Sequence, residues 1–417
     1  MGTGYPVKII YLNNYYYIRG GSERVFFGEM DIMKRYGHAV AGFSRKHPLD
    51  LPAQYDRFFP PNIVTERINL SWATVRTMKE IFYSRSARKG LEQLISSFKP
   101  DIAHIHNMYG RLTTSVLDLL AQKKIPIVMT LHDYKLACPS YLFMRNSRVC
   151  EDCKGGRFFM AVRNRCHKRS YAASTIVALE SYMNEWLKKY RKNVHFFISP
   201  SLFLKDKLTE YGWPARQIKH VPNFLNITDF EPSYVSGSYF LYLGRLSEEK
   251  GIDNLIQAYI GLKQNRVGLT IVGEGPIRPD LERLAHGNPA IRFTGYLSGK
   301  MLQDITKNAL SVIVPSVCYE NAPISILEAM AYGKPTIGAR IGGIPEMIKD
   351  GVNGFLFEAG HYDALKNVLE RFTNIPTVGI EQMGKAARRK VESENSTESH
   401  YRNLMEIYQE VLMRTEG

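Results

Sequence analysis

Three short segments carry residues whose types and spacing suit chemistry. Gly20-Gly21-Ser22-Glu23 sits between a strand-like run and a helix-like run. Paired glycines let backbone approach a ligand closely, and a helix N-terminus offers free N–H groups suited to phosphate. Gly244-Arg245-Leu246-Ser247-Glu248-Glu249-Lys250-Gly251 follows the run Tyr239–Leu243. Arg245 can grip phosphate oxygens bidentately and Lys250 adds a point charge, so both suit one diphosphate. Glu320-Asn321-Ala322-Pro323 turns into a helix carrying Glu328. Two carboxylates flanking a helix N-terminus suit sugar and ribose hydroxyls on either side of a phosphate, because a carboxylate accepts from vicinal diols.

A fourth constellation is a set of thiols. Cys138, Cys150, Cys153 and Cys166 lie in one stretch, with Cys318 apart. The Cys150-x-x-Cys153 knuckle with two outer cysteines fits a tetrahedral zinc site, with His167 as an alternative ligand. A redox pair and plain buried thiols are the competing readings.

The elements that must position these segments alternate. Lys8–Leu12, His38–Phe43, Ile102–His106 and Ile125–Leu131 read as strands, and Ser22–Tyr36 and Thr113–Gln122 as helices. The pattern restarts with strands at Tyr239–Leu243, Gly268–Val272, Ala290–Phe293, Leu310–Val314 and Lys334–Gly338. Helices are expected at Ile252–Leu262, Ile324–Ala331 and Thr397–Arg414. Buried strands alternating with helices predict parallel sheets covered on both faces. The expectation is α/β, with an N-terminal domain over 1–198, a C-terminal domain over 199–396 and a last helix over 397–417. The boundary is placed near Ser199–Phe203, with Asn223–Asp229 as a second candidate hinge. Ligands of such units bind beyond the carboxyl ends of the strands, where the three segments fall. Met1–Pro6 reads as a lead-in.

Composition narrows the class. The 417 residues include 55 Lys+Arg against 40 Asp+Glu. Residues 1–198 hold 31 basic and 15 acidic residues, and 199–417 hold 24 and 25. Arg145–Lys192 alone holds 12 basic and 4 acidic residues, interleaved with Phe158, Phe159, Met160, Tyr171, Tyr182 and Trp186. That mixture suits an anionic membrane surface. No helix-turn-helix, zinc-finger or RNP signature supports nucleic acid. No apolar run is long enough to span a membrane, and five cysteines do not make a secreted disulfide scaffold.

Gly244–Gly251, Val272–Pro276 (VGEGP), Gly295–Leu297 (GYL), the Glu320…Glu328 pair, Gly342–Glu346 (GGIPE) and Gly351–Phe357 follow the order and spacing of the family-4 retaining glycosyltransferases. Gly20–Arg24 and Leu131-His132-Asp133 extend the resemblance to the first half. It implies the GT-B fold, two Rossmann-like domains facing across a cleft. It also implies retaining transfer of a sugar from a nucleotide-diphosphate donor, with no metal needed for catalysis. On this resemblance, Gly244, Arg245 and Lys250 meet the diphosphate and Glu328 the ribose. Glu320 meets the transferred sugar. Asn321, Ala322 and Pro323 approach sugar and phosphate, and Tyr296 and Leu297 hold the base. Gly20 and Gly21 close on the phosphates, and His132 lies near the reacting face of the sugar. The acceptor, a glycan or lipid-linked molecule, would meet the N-terminal domain. A cytoplasmic protein, peripheral at the inner membrane face, follows. The competing readings are a catalytically silent homologue, another GT-B chemistry such as an epimerase or phosphorylase, and a basic nucleic-acid or anionic-surface binder.

Overall fold

The computed structural model describes residues 6–63, 79–235, 237–263 and 267–416. All of the expected lead-in but Pro6 lies outside them. Short apolar runs flanked by amphipathic helices produce two six-stranded sheets. The first comprises β1 (Lys8–Leu12), β2 (Ala39–Phe43), β3 (Ile102–Ile105), β4 (Ile127–Thr130), β7 (Phe196–Ser199) and β8 (Ile218–His220), in the order β2-β1-β3-β4-β7-β8. The second comprises β9 (Tyr239–Leu243), β10 (Gly268–Val272), β11 (Ile291–Gly295), β12 (Ser311–Val314), β13 (Thr336–Ala339) and β14 (Gly354–Phe357), in the order β11-β10-β9-β12-β13-β14. Every pairing in both sheets is parallel. β3 and β4 are buried along their whole length, as strands covered on both faces must be. The antiparallel hairpin β5 (Met144–Arg145) and β6 (Arg148–Val149) stands apart, inside the cysteine-bearing insert.

The first sheet does not stop at residue 198. The chain makes one more α/β turn, through helix Leu202–Glu210 and β8, before it crosses over. Leu204, Leu208, Trp213 and Ile218 are buried in the same core as β1 and β3. The boundary at Ser199 is therefore corrected to the link after His220. The Ser-Pro step at Ser199-Pro200 starts a helix rather than a domain.

The C-terminal helix Thr397–Glu416 returns to the first unit. Leu404, Met405, Ile407, Tyr408 and Val411 are buried in its core. Tyr401 stacks on Tyr36 with ring centroids 3.7 Å apart. Among the described residues no helix is long and apolar enough to cross a membrane.

Candidate active site

The charged loops meet where the two sheets' carboxyl ends face each other. Helix Gly21–Arg35 begins at the end of the loop after β1. A Cβ on Gly21 would lie 3.1 Å from Cγ1 of Ile324, the first residue of helix Ile324–Ala331. Two helix N-termini, one from each unit, are thus brought together across the cleft. Each contributes unsatisfied N–H groups and partial positive charge.

The loop after β9 needs its glycines. Gly244 has φ of 154° and Gly251 has φ of 63°. A Cβ on Gly251 would come within 2.2 Å of the Pro315 carbonyl oxygen. This turn carries Lys250 to Glu320, with Nζ 2.6 Å from Oε1. Ser316 Oγ donates to the same oxygen at 2.6 Å. Burial pushes the Glu320 carboxyl up, but Lys250 and Ser316 outweigh it and hold it below the usual range. Burial likewise pulls the Lys250 ammonium down, and Glu320 more than restores it. Arg245 lies exposed on the same loop, and its guanidinium has no hydrogen-bond or ion-pair partner among the described residues. One fixed and one free cation therefore sit beside the helix N-termini.

Glu328 is bound from the opposite unit. Arg24, in the first turn of helix Gly21–Arg35, forms an ion pair with Glu328 Oε1. Burial raises the Glu328 carboxyl, and Arg24 only partly offsets this. Asn321 also spans the cleft. Its Nδ2 donates to the Leu131 carbonyl at 3.0 Å, and its Oδ1 accepts from Ser201 Oγ at 2.7 Å. The Ala322 carbonyl accepts from Asn223 Nδ2 at 2.9 Å, which ties the loop to the interdomain link. Tyr134 Oη donates to the Glu320 carbonyl at 3.1 Å. His132 lies between Leu131 and Tyr134, at the same crossing. Glu346 accepts from the N–H groups of Leu202 and Phe203 and so caps helix Leu202–Glu210.

Gly20, Gly21, His132, Gly244, Arg245, Lys250, Glu320, Asn321, Ala322, Pro323 and Glu328 thus surround one cleft. Tyr296 lies on the loop after β11 with 73% of its surface exposed, whereas Leu297 packs against the core of the second sheet. Beside the cleft, the first unit holds a cavity of about 490 Å3, with Gly20, Glu23, Asp133, Lys135, Tyr141 and His167 in its wall. Burial pushes the Asp133 carboxyl up to about 6, against a backbone N–H from Lys135.

The cysteine-bearing insert reaches the cleft twice. Arg169 pairs with Glu248 at 2.5 Å, and Glu151 accepts from Tyr319 Oη at 2.7 Å. Cys138, Cys150, Cys153 and Cys166 are free thiols gathered in this insert. Burial, and after it the neighbouring thiols, push Cys153 up to about 12 and Cys166 to about 11. The ligand atoms that approach within 4.8 Å as a metal-sized group among the described residues are those of Glu29, His104 and His106.

The buried Glu29–histidine cluster was not legible in sequence. The available signal was His104-Ile-His106 on a strand, since alternate residues share one face. Arg24 enters the sequence reading only within Gly20–Arg24, because its pairing with Glu328 joins residues 304 apart.

Two parallel-sheet units with charged loops and helix N-termini at their facing carboxyl ends define a GT-B protein. A glycosyltransferase family 4 model matches residues 19–229, and a glycosyl transferases group 1 model matches 226–390. The chain belongs to glycosyltransferase family 4. It is 25% identical over 316 residues to the sulfoquinovosyl transferase SQD2 of Arabidopsis thaliana, covering 72% of this chain and 54% of that protein. It is 40% identical over 189 residues to an uncharacterized glycosyltransferase, MJ1607, of Methanocaldococcus jannaschii, covering 41% of this chain and 48% of the relative. The matches span about half the length of these curated relatives. The crystal structure of Anabaena Alr3699/HepE in complex with UDP and glucose superposes with a TM-score of 0.66 at 17% identity, covering 97% of this chain and 100% of that one.

Proposed function

We propose that this protein is a retaining glycosyltransferase. It moves a sugar from a nucleoside-diphosphate donor to a glycan or lipid-linked acceptor, in cell-surface polysaccharide or glycoconjugate synthesis of the bacterial type. The observation that carries the reading is the Arg245 guanidinium, unpaired among the described residues, on the loop that also delivers Lys250 to Glu320. Breaking the glycosidic bond leaves negative charge on the β-phosphate. Arg245, Lys250 and the two helix N-termini are in place before that charge develops, so they stabilise it without reorganisation. No metal is required for this step. Glu320, held ionised, accepts from hydroxyls of the transferred sugar. Glu328 accepts from the ribose once Arg24 releases it, and Asn321, Ala322 and Pro323 supply backbone close to sugar and phosphate. Gly20 and Gly21 admit the phosphates from the opposite side, and His132 faces the sugar. Tyr296, fully available on its loop, stacks on the base, with Leu297 fixing the loop beneath it. The leaving phosphate assists removal of the acceptor proton on the same face, which gives retention.

The acceptor enters the cavity of the first unit. Helix Tyr171–Trp186 presents Tyr171, Leu179, Tyr182 and Trp186 on one exposed stripe, with Tyr171 60% and Trp186 82% exposed. Lys168 and Arg169 precede the stripe, and Lys188 and Lys192 follow it. Apolar side chains ringed by cations fit an anionic bilayer better than nucleic acid. This supports a location at the inner face of the membrane, near a lipid-linked acceptor.

A structural zinc on the four cysteines would need their sulfurs to draw together, because they do not converge within 4.8 Å as the ligand atoms of Glu29, His104 and His106 do. The knuckle also presents Glu151 to Tyr319, next to Glu320.

Thermal unfolding with each nucleoside diphosphate tests the donor site. One of them should raise the melting temperature, because only the native cleft binds it. If none does, the reading fails.

A further inference from the structure

A buried polar chain runs from the interdomain link to His132. His400, on the C-terminal helix, places Nδ1 3.0 Å from the Pro222 carbonyl and Nε2 3.1 Å from Glu29 Oε1. Glu29 Oε2 lies 3.2 Å from His106 Nε2, and His106 Nδ1 lies 2.8 Å from His132 Nε2. Glu29, His104 and His106 are completely buried. The groups facing Glu29 are His104 from β3, His106 directly after it, Tyr11 from β1, and His400 and Tyr408 from the C-terminal helix.

Donor and acceptor counting fixes the protons. A carbonyl and a carboxylate only accept, so both nitrogens of His400 must donate, which only the imidazolium does. Its charge answers that of Glu29. A second cation at His106 would leave two buried cations on one carboxylate, which burial disfavours. His106 is then neutral, donates from Nε2 to Glu29 and offers a lone pair at Nδ1. His132 must donate from Nε2 to that lone pair. Its own Nδ1, which has no partner among the described residues, is left as an acceptor.

We infer that Glu29, acting through His106, holds the His132 proton on Nε2, so that Nδ1 meets the donor sugar as a hydrogen-bond acceptor and selects a hydroxyl-bearing sugar over a carboxylate-bearing one. Glu29 and His106 are positioning residues for His132. The selectivity half of this inference rests on the proposed place of His132 at the sugar. A metal at Glu29, His104 and His106 is not needed to satisfy them. His104 Nε2 already meets Thr130 Oγ1 at 2.7 Å, and its Nδ1 lies 2.6 Å from Tyr408 Oη and 3.2 Å from Glu29 Oε2.

Long-range 1H–15N spectra of histidine-labelled protein at neutral pH read the tautomers directly. The expected result is His400 protonated on both nitrogens, with His106 and His132 each protonated on Nε2 alone. His132 protonated on Nδ1, a neutral His400, or a metal bound at Glu29 would overturn the inference. Glu29→Gln should leave His400 with a single proton, because the amide can donate to it. His106→Phe should leave His132 as a mixture of tautomers. Calorimetry with UDP-glucose and UDP-glucuronate reads the selectivity. The wild type should prefer the glucose conjugate by about tenfold, and His106→Phe should shrink that preference to about threefold or less while leaving UDP affinity alone. An unchanged preference would overturn the selectivity. The spectra decide the proton positions even if no UDP sugar binds. Failure of every nucleoside diphosphate to bind would instead sink the donor-site reading.

Discussion

Lys250→Met separates two roles that the Lys250–Glu320 contact combines. Removing the ammonium leaves the Glu320 carboxylate, nearly enclosed, with Ser316 Oγ as its remaining side-chain partner at 2.6 Å. Leaving a largely buried charge unpaired costs about 1–3 kcal/mol. At roughly 2–4 °C per kcal/mol for a domain of this size, the melting temperature should fall by about 2–12 °C. Turnover should fall by about 100- to 1000-fold, the cost of one preorganised group lost from a developing oxyanion. Adding Glu320→Gln removes the orphaned charge, so the double variant should regain most of the lost stability. It should not regain turnover, because the leaving phosphate still lacks its cation. Urea unfolding and hydrolysis of the donor, measured on the wild type, both single variants and the double, complete the cycle. If turnover recovers with stability in the double variant, Lys250 acts only by neutralising Glu320 and the phosphate role is wrong.

Glu328→Gln should weaken nucleoside-diphosphate binding about tenfold, by titration calorimetry, since a charged acceptor to the ribose is lost. Its stability should change by less than about 1 kcal/mol, because the Arg24 partner is 41% exposed. Asp133, raised from 3.8 to about 6 by burial, binds its proton more tightly in the folded state. Its contribution to stability is complete below pH 3.8 and is lost as pH rises through 6. Asp133→Asn should therefore gain melting temperature relative to wild type between pH 4 and 6.5; a flat difference would refute this. Trp186→Ser should lower sedimentation with anionic vesicles at low salt, and equal sedimentation with neutral vesicles would refute the membrane face. Protein purified without added zinc should carry about one zinc per chain. Chelation should expose four thiols and lower the melting temperature, whereas a metal-free protein would contradict the site.

The elements around the donor site were legible because their signals are local. Tyr239–Leu243 and Gly268–Val272 are apolar strands that end in glycine turns, and both form with those bounds. Helix Ile324–Ala331 likewise follows the Asn321–Pro323 turn, with Pro323 extended at its N-cap. β8 was missed because Ile218-Lys219-His220 is short and half polar, an edge strand with one partner. Missing it displaced the domain boundary by about one α/β turn. The Glu29 chain was missed for a different reason. It joins residues 29, 106, 132 and 400 through side-chain nitrogens, and no local spacing encodes such a contact. Arg24–Glu328 is hidden in the same way. Sequence revealed which residues carry charge near the cleft, whereas the fold alone revealed which of those charges are already paired.

The central claim is that the free Arg245 and the Lys250–Glu320 pair receive a nucleoside-diphosphate leaving group. Its most direct test is NMR of the product formed from the one nucleotide sugar that binds, comparing wild type with Arg245→Ala. The account predicts a product with the anomeric configuration of the donor, and a rate lowered at least 100-fold in a folded Arg245→Ala protein. An inverted product, or wild-type turnover without Arg245, would contradict it.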